Sequence, residues 1–357
     1  MAETEQGIGI VLAKQANFYH VRLDSDQTLL CTQRSRLKKT GQQVWVGDRV
    51  TVEDIALTVS QGVITTILPR QTTFTRPPIA NASQILLVFA IAQPELDPWQ
   101  LSRFLLSAEA TDLRPRVCLN KCDLVSPATQ QAWQQRLTAW GYPPLLLSVP
   151  QRQGYEQLYT SLAQEITLLA GPSGVGKSSL IHSLLPDAAV RVAAVSGKLQ
   201  RGRHTTRHVE LYPLPQQGWL ADSPGFNKPA LTCAPQDLAT YFPEIRQRHQ
   251  LGSCRFTDCW HRDEPDCMVR GDWERYEHYR QFLTEAEQAA AHRHHQPTAD
   301  AQLKLKIRAD GTPTYEPRLD PKKYRRRSRR RRHQSLDQQP TQTWATPADE
   351  SAPLDQG

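Results

Sequence analysis

No stretch of this chain is apolar for long enough to cross a bilayer. The longest apolar run, Ile85 to Ala92, is eight residues, where a spanning helix needs about 20. The first six residues, Met-Ala-Glu-Thr-Glu-Gln, carry neither the basic nor the apolar region of a secretory leader. Cysteine is sparse. Seven in 357 residues is an odd number, which argues against a disulfide framework and for a reducing compartment. A cytoplasmic protein without membrane contact is the expectation. Surplus charge is missing too, except in one place. Lys322 to His333 holds nine Lys or Arg and no acid, whereas outside it 34 basic residues face 36 acidic ones. The net charge of +7 therefore belongs to a short tail segment, which suits a polyanionic partner.

What is present is organised around Gly171-Pro172-Ser173-Gly174-Val175-Gly176-Lys177-Ser178. This is G-x-x-x-x-G-K-S, the loop that cradles nucleotide phosphates. The apolar run Ile166 to Ala170 precedes it and a helical stretch from Ser179 to Leu185 follows, as a strand–loop–helix unit requires. The loop and Ser179 would surround the phosphates at a helix N-terminus that favours anions. Lys177 would neutralise charge on the β- and γ-phosphates, and the Ser178 hydroxyl would bind Mg²⁺.

Ahead of this loop the pattern changes once. Residues 7 to 68 read as five short strands: Ile8–Ala13, Phe18–Arg22, Thr28–Cys31, Val44–Val52 and Val63–Leu68. Turn residues separate them, which suits a small closed barrel of the OB type. Arg34, Arg36, Lys38 and Lys39 follow the third strand, either as a solvated loop or as an RNA-facing patch. From Gln84 strands and helices alternate, the signature of a mostly parallel sheet covered on both faces. The strand Val117-Cys118-Leu119 ends at Asn120-Lys121-Cys122-Asp123, an N-K-x-D element. The Asp123 carboxylate can accept from both N1–H and the 2-amino group of guanine, a donor pair that adenine lacks. Asn120 would buttress the loop and Lys121 would lie along the base. Ser148-Val149, after a further strand at Pro144–Val149, offers backbone contacts to the guanine oxygen.

Beyond the phosphate loop, Arg201-Gly202-Arg203-His204-Thr205-Thr206-Arg207-His208 has no apolar period and reads as a loop. A threonine there would complete the Mg²⁺ shell when the γ-phosphate is present. Asp222-Ser223-Pro224-Gly225 is a D-x-x-G: Asp222 would reach Mg²⁺ through water, and the Gly225 N–H would reach the γ-phosphate.

The elements come in an unusual order, with N-K-C-D before G-P-S-G-V-G-K-S, then R-G-R-H-T-T, then D-S-P-G. Ordinary GTPases begin with the phosphate loop, so this order is a circular permutation. With a barrel ahead and a cysteine cluster behind, residues 5 to 293 resemble the small-ribosomal-subunit biogenesis GTPases of the RsgA (YjeQ) type. That resemblance implies three parts: an RNA-binding barrel at 1–70, a permuted GTPase domain at 71–242 and a zinc-binding helical domain at 243–293; the polar composition of 294–357, rich in Gln, Pro, Thr and Asp, adds the expectation of a disordered tail with the Arg-rich segment. Cys254-x4-Cys259-x-His261-x5-Cys267 places three thiolates and an imidazole within fourteen residues. That soft set suits one tetrahedral Zn²⁺, with no position left open for water, hence a structural ion. Asp272 to His292 reads as a charged helix whose Trp273, Tyr276, Tyr279, Phe282 and Leu283 form a packing stripe.

Phe226 stands after D-x-x-G where many GTPases keep a water-orienting glutamine. The resemblance points instead to His204 as the catalytic group beside Lys177, and of the two threonines Thr206 is preferred for Mg²⁺. The implied activity is hydrolysis of GTP to GDP by a monomer bound to the small ribosomal subunit and its rRNA. A GTPase acting on another RNA particle and an RNA-binding scaffold without useful turnover are the competing readings. An ATPase or kinase is disfavoured by Asp123.

Overall fold

The first five strands close on themselves. In the computed structural model, which describes residues 6–75, 78–111, 113–185, 209–222, 229, 231, 233–295, 303–307 and 313–317, strands β1 (Gly7–Gln15), β2 (Phe18–Leu23) and β3 (Thr28–Gln33) form a meander. A short helix α1 (Ser35–Lys39) then leads to β4 (Arg49–Ala56) and β5 (Gln61–Ile67). The order around the barrel is β1-β2-β3-β5-β4, with β1 against β4 and β3 parallel to β5. Two-residue periodicity makes it. In β2, Tyr19, Val21 and Leu23 point into the core while Phe18, His20 and Arg22 alternate outward.

The expected strand Val44–Val52 starts only at Arg49. Val44 and Val46 are buried, as their pattern suggested, but the Asp48 carboxylate takes the Trp45 backbone N–H at 2.7 Å and closes a turn there. Asp48, fully buried, is held by the Arg70 fork at 2.6 and 2.8 Å. A short ribbon of β6 (Thr73–Thr75) and β7 (Pro78–Ala80) follows, and the Ala80 N–H donates to the Val46 carbonyl at 2.8 Å. The barrel is thereby seated on what comes next: Ile10, Val46, Ile79 and Ala82 share one core with the large sheet.

That sheet has six strands: β8 (Gln84–Ala90), β9 (Arg114–Asn120), β10 (Leu145–Leu146), β11 (Ile166–Ala170), β12 (Leu211–Pro213) and β13 (Trp219–Asp222). Its order is β10-β9-β8-β11-β13-β12, all parallel except the hairpin partner β12. The chain enters at the centre with β8, walks out to the β10 edge, and returns to the other side of β8. This is the permuted path expected from the motif order. The expected strand Pro144–Val149 is reduced to Leu145–Leu146, because it lies at a sheet edge with one partner, β9.

Every residue of β8 is buried, and its side chains divide between two cores. Ile85, Leu87 and Phe89 face α2 (Pro98–Glu109) and α3 (Pro127–Ala139), while Leu86, Val88 and Ala90 face α4 (Tyr155–Leu162) and α5 (Lys177–Leu184). Asp97 and Ser126 cap α2 and α3 by accepting backbone N–H bonds from Trp99 and Thr129, each ahead of a first-turn proline. Leu101, Phe104, Leu105 and Ala108 of α2 are at most 1 % exposed. Burial of each large member contributes about 1.5–3 kcal/mol.

Two further helices, α6 (Pro243–Leu251) and α7 (Tyr276–His295), pack with Leu106 of α2 around Phe242, Tyr279, Phe282 and Leu283. The stripe read from the sequence is core. The tail carries an element that its composition did not suggest, an antiparallel pair β14 (Leu303–Ile307) and β15 (Pro313–Pro317).

Candidate functional site

The N-K-C-D element and the phosphate loop meet at the C-terminal edge of the sheet. Asn120 ends β9, and the glycine loop follows β11 with β8 between them. Asn120 is 2 % exposed, and its amide donates to the Val175 carbonyl at 2.9 Å. Val175 itself is buried in the core below, so the loop is pinned from two sides. Lys121 takes a left-handed conformation (φ 63°) that sends its ammonium back over the loop. There it donates to the Gly174 carbonyl at 2.8 Å and to the Gln93 carbonyl. The Gln93 contact was not legible in the sequence: the segment before α2 is a third wall of the site.

Gly171 and Gly176 are required by this fit. Gly171 sits at φ 140°, where a Cβ would lie 2.1 Å from the Val88 carbonyl oxygen; at Gly176 (φ 95°) it would lie 2.4 Å from the Asn120 amide. Helix α5 starts at Lys177, directly after Gly176. The Lys177 ammonium donates to the carbonyls of Gly171 and Pro172 at 2.8 and 2.6 Å, so it lies along the loop's own rim. Ser178 and Ser179 occupy the first turn, and the Ser178 carbonyl pairs with His182 Nδ1 at 3.1 Å.

Among the described residues, two buried oxygens in the site have no hydrogen-bond partner, Asn120 Oδ1 and Asp123 Oδ1. A buried carboxylate oxygen without a donor is costly. A guanine base presents the N–H pair that would satisfy it, so the donor set fits a guanine nucleotide. Behind Asp123, Ser148 is buried and its N–H and carbonyl both pair with Gln153 at 3.3 and 3.1 Å, which fixes the short loop carrying Ser148 and Val149. Burial raises the thiol pKa of Cys118 and of Cys122, so neither is a ready thiolate. Cys122 instead lends its sulfur to the Leu119 carbonyl at 3.2 Å.

Asp222 is the last residue of β13, at the same edge, next to β11. His204, Thr205, Thr206, Gly225 and Phe226 lie outside the described residues. On the barrel, Arg34, Arg36 and Lys39 are all exposed, and Arg34 is paired with Glu53 at 2.8 Å and approaches Asp54 at 3.8 Å.

The four sequence-predicted metal ligands converge. The ligand atoms of Cys254, Cys259, His261 and Cys267 all lie within 4.8 Å of one another. Cys254 Sγ is 3.9 Å from Cys267 Sγ, and His261 Nδ1 is 3.6 and 3.5 Å from those two sulfurs. A tetrahedral ion with bonds of about 2.1–2.3 Å needs edges of about 3.6–3.8 Å, so the set fits. Burial pushes the Cys259 thiol up to about 12, with Cys267 and Cys254 adding to the rise against an opposing N–H from His261. Three thiolates brought this close repel one another unless a cation lies between them. Burial, and then the neighbouring His249, lower the pKa of His261 and keep it a neutral ligand. Around the cluster, Tyr276 and Tyr279 donate to the carbonyls of His261 and Trp260 at 2.8 and 2.9 Å, fastening the loop to α7.

The unit bearing this cluster is clamped to the sheet domain. Glu244 and Arg275, both buried, form a two-bond fork at 2.7 Å each, with the guanidinium 5.0 Å from the Trp140 ring centre. Trp99 of α2 stacks on Phe282 of α7 at 4.5 Å, and Ser102 pairs with His278 Nδ1 at 2.8 Å.

Among the described residues no helix is long and apolar enough to cross a membrane. Residues 67–232 match the family model described as RsgA GTPase. The chain is 55 % identical over 338 residues to the small ribosomal subunit biogenesis GTPase RsgA of Microcystis aeruginosa, covering 94 % of each chain. It is 54 % identical to the protein of that name from Trichormus variabilis, over 93 % of this chain and 96 % of that one. Among solved structures, YloQ, described as a circularly permuted GTPase, matches with a TM-score of 0.66 at 31 % identity, over 80 % of this chain and 96 % of that one. Likeness of that extent, in sequence and in the path of the chain, makes this protein a GTP hydrolase of the RsgA GTPase family.

Proposed function

We propose that this GTPase binds the small ribosomal subunit in its GTP form, assists late maturation of that subunit, and leaves after hydrolysis. The observation that supports guanine as the base is the Asp123 carboxylate, whose buried, unpartnered oxygen lies in the site beside Lys121. The partner is inferred from the name that the relatives carry. In this reading Asp123 binds the base, Asn120 and Lys121 hold the base loop against the phosphate loop, and residues Gly171 to Ser179 hold the phosphates with a Gly225 N–H. Lys177 exchanges its contacts with the loop carbonyls for the β- and γ-phosphates. Ser178, Thr206 and Asp222 hold Mg²⁺, which supplies neutralisation of phosphate charge when bound. His204 orients the attacking water in place of the glutamine that Phe226 displaces.

One Zn²⁺ held by Cys254, Cys259, His261 and Cys267 serves as a structural staple, because four protein ligands leave no position for water. The barrel and the zinc unit contact rRNA, and the enzyme works in the cytoplasm as a monomer. The test is turnover of the His204→Ala variant on purified small subunits. A fall in kcat with little change in GTP affinity is expected; unchanged turnover would remove His204 from the chemistry.

A further inference from the structure

At the sheet edge away from the nucleotide motifs, the barrel and the sheet enclose a cleft of about 270 Å³. Its sheet wall includes the first residues of two strands, Ile166 of β11 and Trp219 of β13. Its barrel wall includes Ile10 of β1 and Arg49 of β4. The two walls belong to one body: Ile10 and Ile166 lie in the same core, and Trp219 packs against it. Arg22 of β2 brings its guanidinium to 5.7 Å from the Trp219 ring centre, so the barrel also touches the indole.

The polar groups of the cleft divide into engaged and free. Asn81 is engaged at both ends: its Oδ1 accepts the Gln71 N–H at 2.8 Å, and its Nδ2 donates to the Gly47 carbonyl at 2.9 Å. Arg49 forks onto Asp24 through two bonds of 2.7 Å. The Glu165 carboxylate accepts from Ser83 Oγ on one oxygen and from Arg114 on the other, which leaves acceptor capacity on both. Among the described residues, the side-chain amides of Gln71 and Gln164 and the Trp219 indole N–H form no hydrogen bond.

This lining excludes several ligands. Arg49, the only cation in it among the described residues, is committed to Asp24, so a phosphate finds no counter-charge and meets Glu165 instead. A metal ion finds one carboxylate, already engaged by Ser83 and Arg114. The volume falls below the range of about 300–1,000 Å³ that suits drug-sized ligands. An aromatic plane, two amides that each donate and accept, and a carboxylate with spare lone pairs are the groups that stack and read one unstacked base. Because the carboxylate only accepts, the base must carry an exocyclic amine. Adenine, cytosine and guanine have one, and uracil does not.

Resting on the ribosomal reading above for its choice of RNA, we propose that this cleft takes one unstacked, amino-bearing base of a single-stranded RNA segment. The base stacks on Trp219, gives its amino group to Glu165, and sets its remaining edge against Gln71 and Gln164, while the RNA phosphates stay outside. The site is separate from the GTP site: Trp219 opens β13 and Asp222 ends it.

The test titrates the full chain, saturated with GDP, with a short uridine oligomer and with the same oligomer carrying one central adenosine, across a salt series. Two variants accompany it: Gln71→Ala with Gln164→Ala, both exposed in the parent, and Trp219→Leu. For the parent, adenosine is expected to tighten binding about five- to tenfold, the worth of one or two net hydrogen bonds, and to quench tryptophan fluorescence. The slope of log affinity against log salt is the same for both oligomers, because base contacts release no counterions. The glutamine variant brings the preference within about twofold, with the salt slope and basal GTP hydrolysis unchanged. Trp219→Leu abolishes the quenching that adenosine adds. Equal affinity for the two oligomers, or a glutamine variant that keeps the full preference, would overturn the proposal. Adenosine monophosphate that displaces the oligomer at equal concentration would make the occupant a free nucleotide and overturn the assignment to RNA. Small subunits that fail to stimulate hydrolysis, beside an intact adenosine preference, would sink the ribosomal reading and leave this site standing.

Discussion

The side-chain amide of Asn120 donates to the backbone carbonyl of Val175 at 2.9 Å, joining two motifs that are 55 residues apart and stand in the reverse of their usual order. Permutation moves the chain ends but leaves this contact to be made, because β9 and β11 still flank β8. In Asn120→Ala the Val175 carbonyl loses its buried donor, which costs about 1–3 kcal/mol. The loop that holds the phosphates is then less fixed, and GTP affinity, measured by fluorescent-nucleotide titration, is expected to fall about 10- to 100-fold. Affinity within twofold of the parent would show that the contact is dispensable.

Asp123→Asn exchanges a double acceptor for a group with one acceptor and one donor. Guanine is then mismatched, whereas the C2 oxygen of xanthine meets the new donor. The expected outcome is weaker GTP hydrolysis and a gain with xanthosine triphosphate, read from competing substrates. A variant that keeps its preference for GTP would discredit this residue as the base contact.

Zinc content is expected to be one ion per chain in the purified protein, by elemental analysis. Chelation, or Cys254→Ser, removes a ligand from a cluster that Tyr276 and Tyr279 fasten to α7. The predicted result is a lower melting temperature with intrinsic GTP hydrolysis largely retained, since Cys254 lies on the unit beyond α6 and not at the nucleotide edge. Intrinsic hydrolysis that is lost in step with zinc would assign the ion a part in the chemistry.

Arg275→Ala leaves Glu244 buried without its fork and strips a cation from the faces of Trp140 and Phe242. Breaking a buried pair from one side costs about 3–5 kcal/mol. Replacing both partners with apolar residues, as in Glu244→Leu with Arg275→Met, is expected to cost much less. Denaturant unfolding of the two variants separates an essential ion pair from a replaceable packing site.

The meeting of the N-K-C-D element with the phosphate loop, and the convergence of the four Cys and His side chains, were legible because G-P-S-G-V-G-K-S, N-K-C-D and the Cys-His spacing are short, contiguous motifs that each specify their own local geometry. The barrel was legible from alternation such as that of Phe18 to Leu23. Long-range partners were not. Nothing in the sequence pairs Asp48 with Arg70, Glu244 with Arg275, or Lys121 with the Gln93 carbonyl, since each depends on how separate elements pack. Val44 to Asp48 misled because buried valines satisfy a strand pattern whether or not the backbone is paired; Asp48, bonded to the Trp45 N–H, decided otherwise. The hairpin at Leu303 to Pro317 did carry a signal, the Leu-Lys-Leu-Lys-Ile alternation, which the polar composition around it obscured.

The most direct test of the central claim is GTP hydrolysis by the purified enzyme alone, with small subunits, and with large subunits, with ATP run in parallel. The account predicts slow turnover alone, strong stimulation by small subunits only, and none of this with ATP. Tight GTP binding without stimulation by either subunit would contradict it and mark the protein as a nucleotide-holding RNA scaffold.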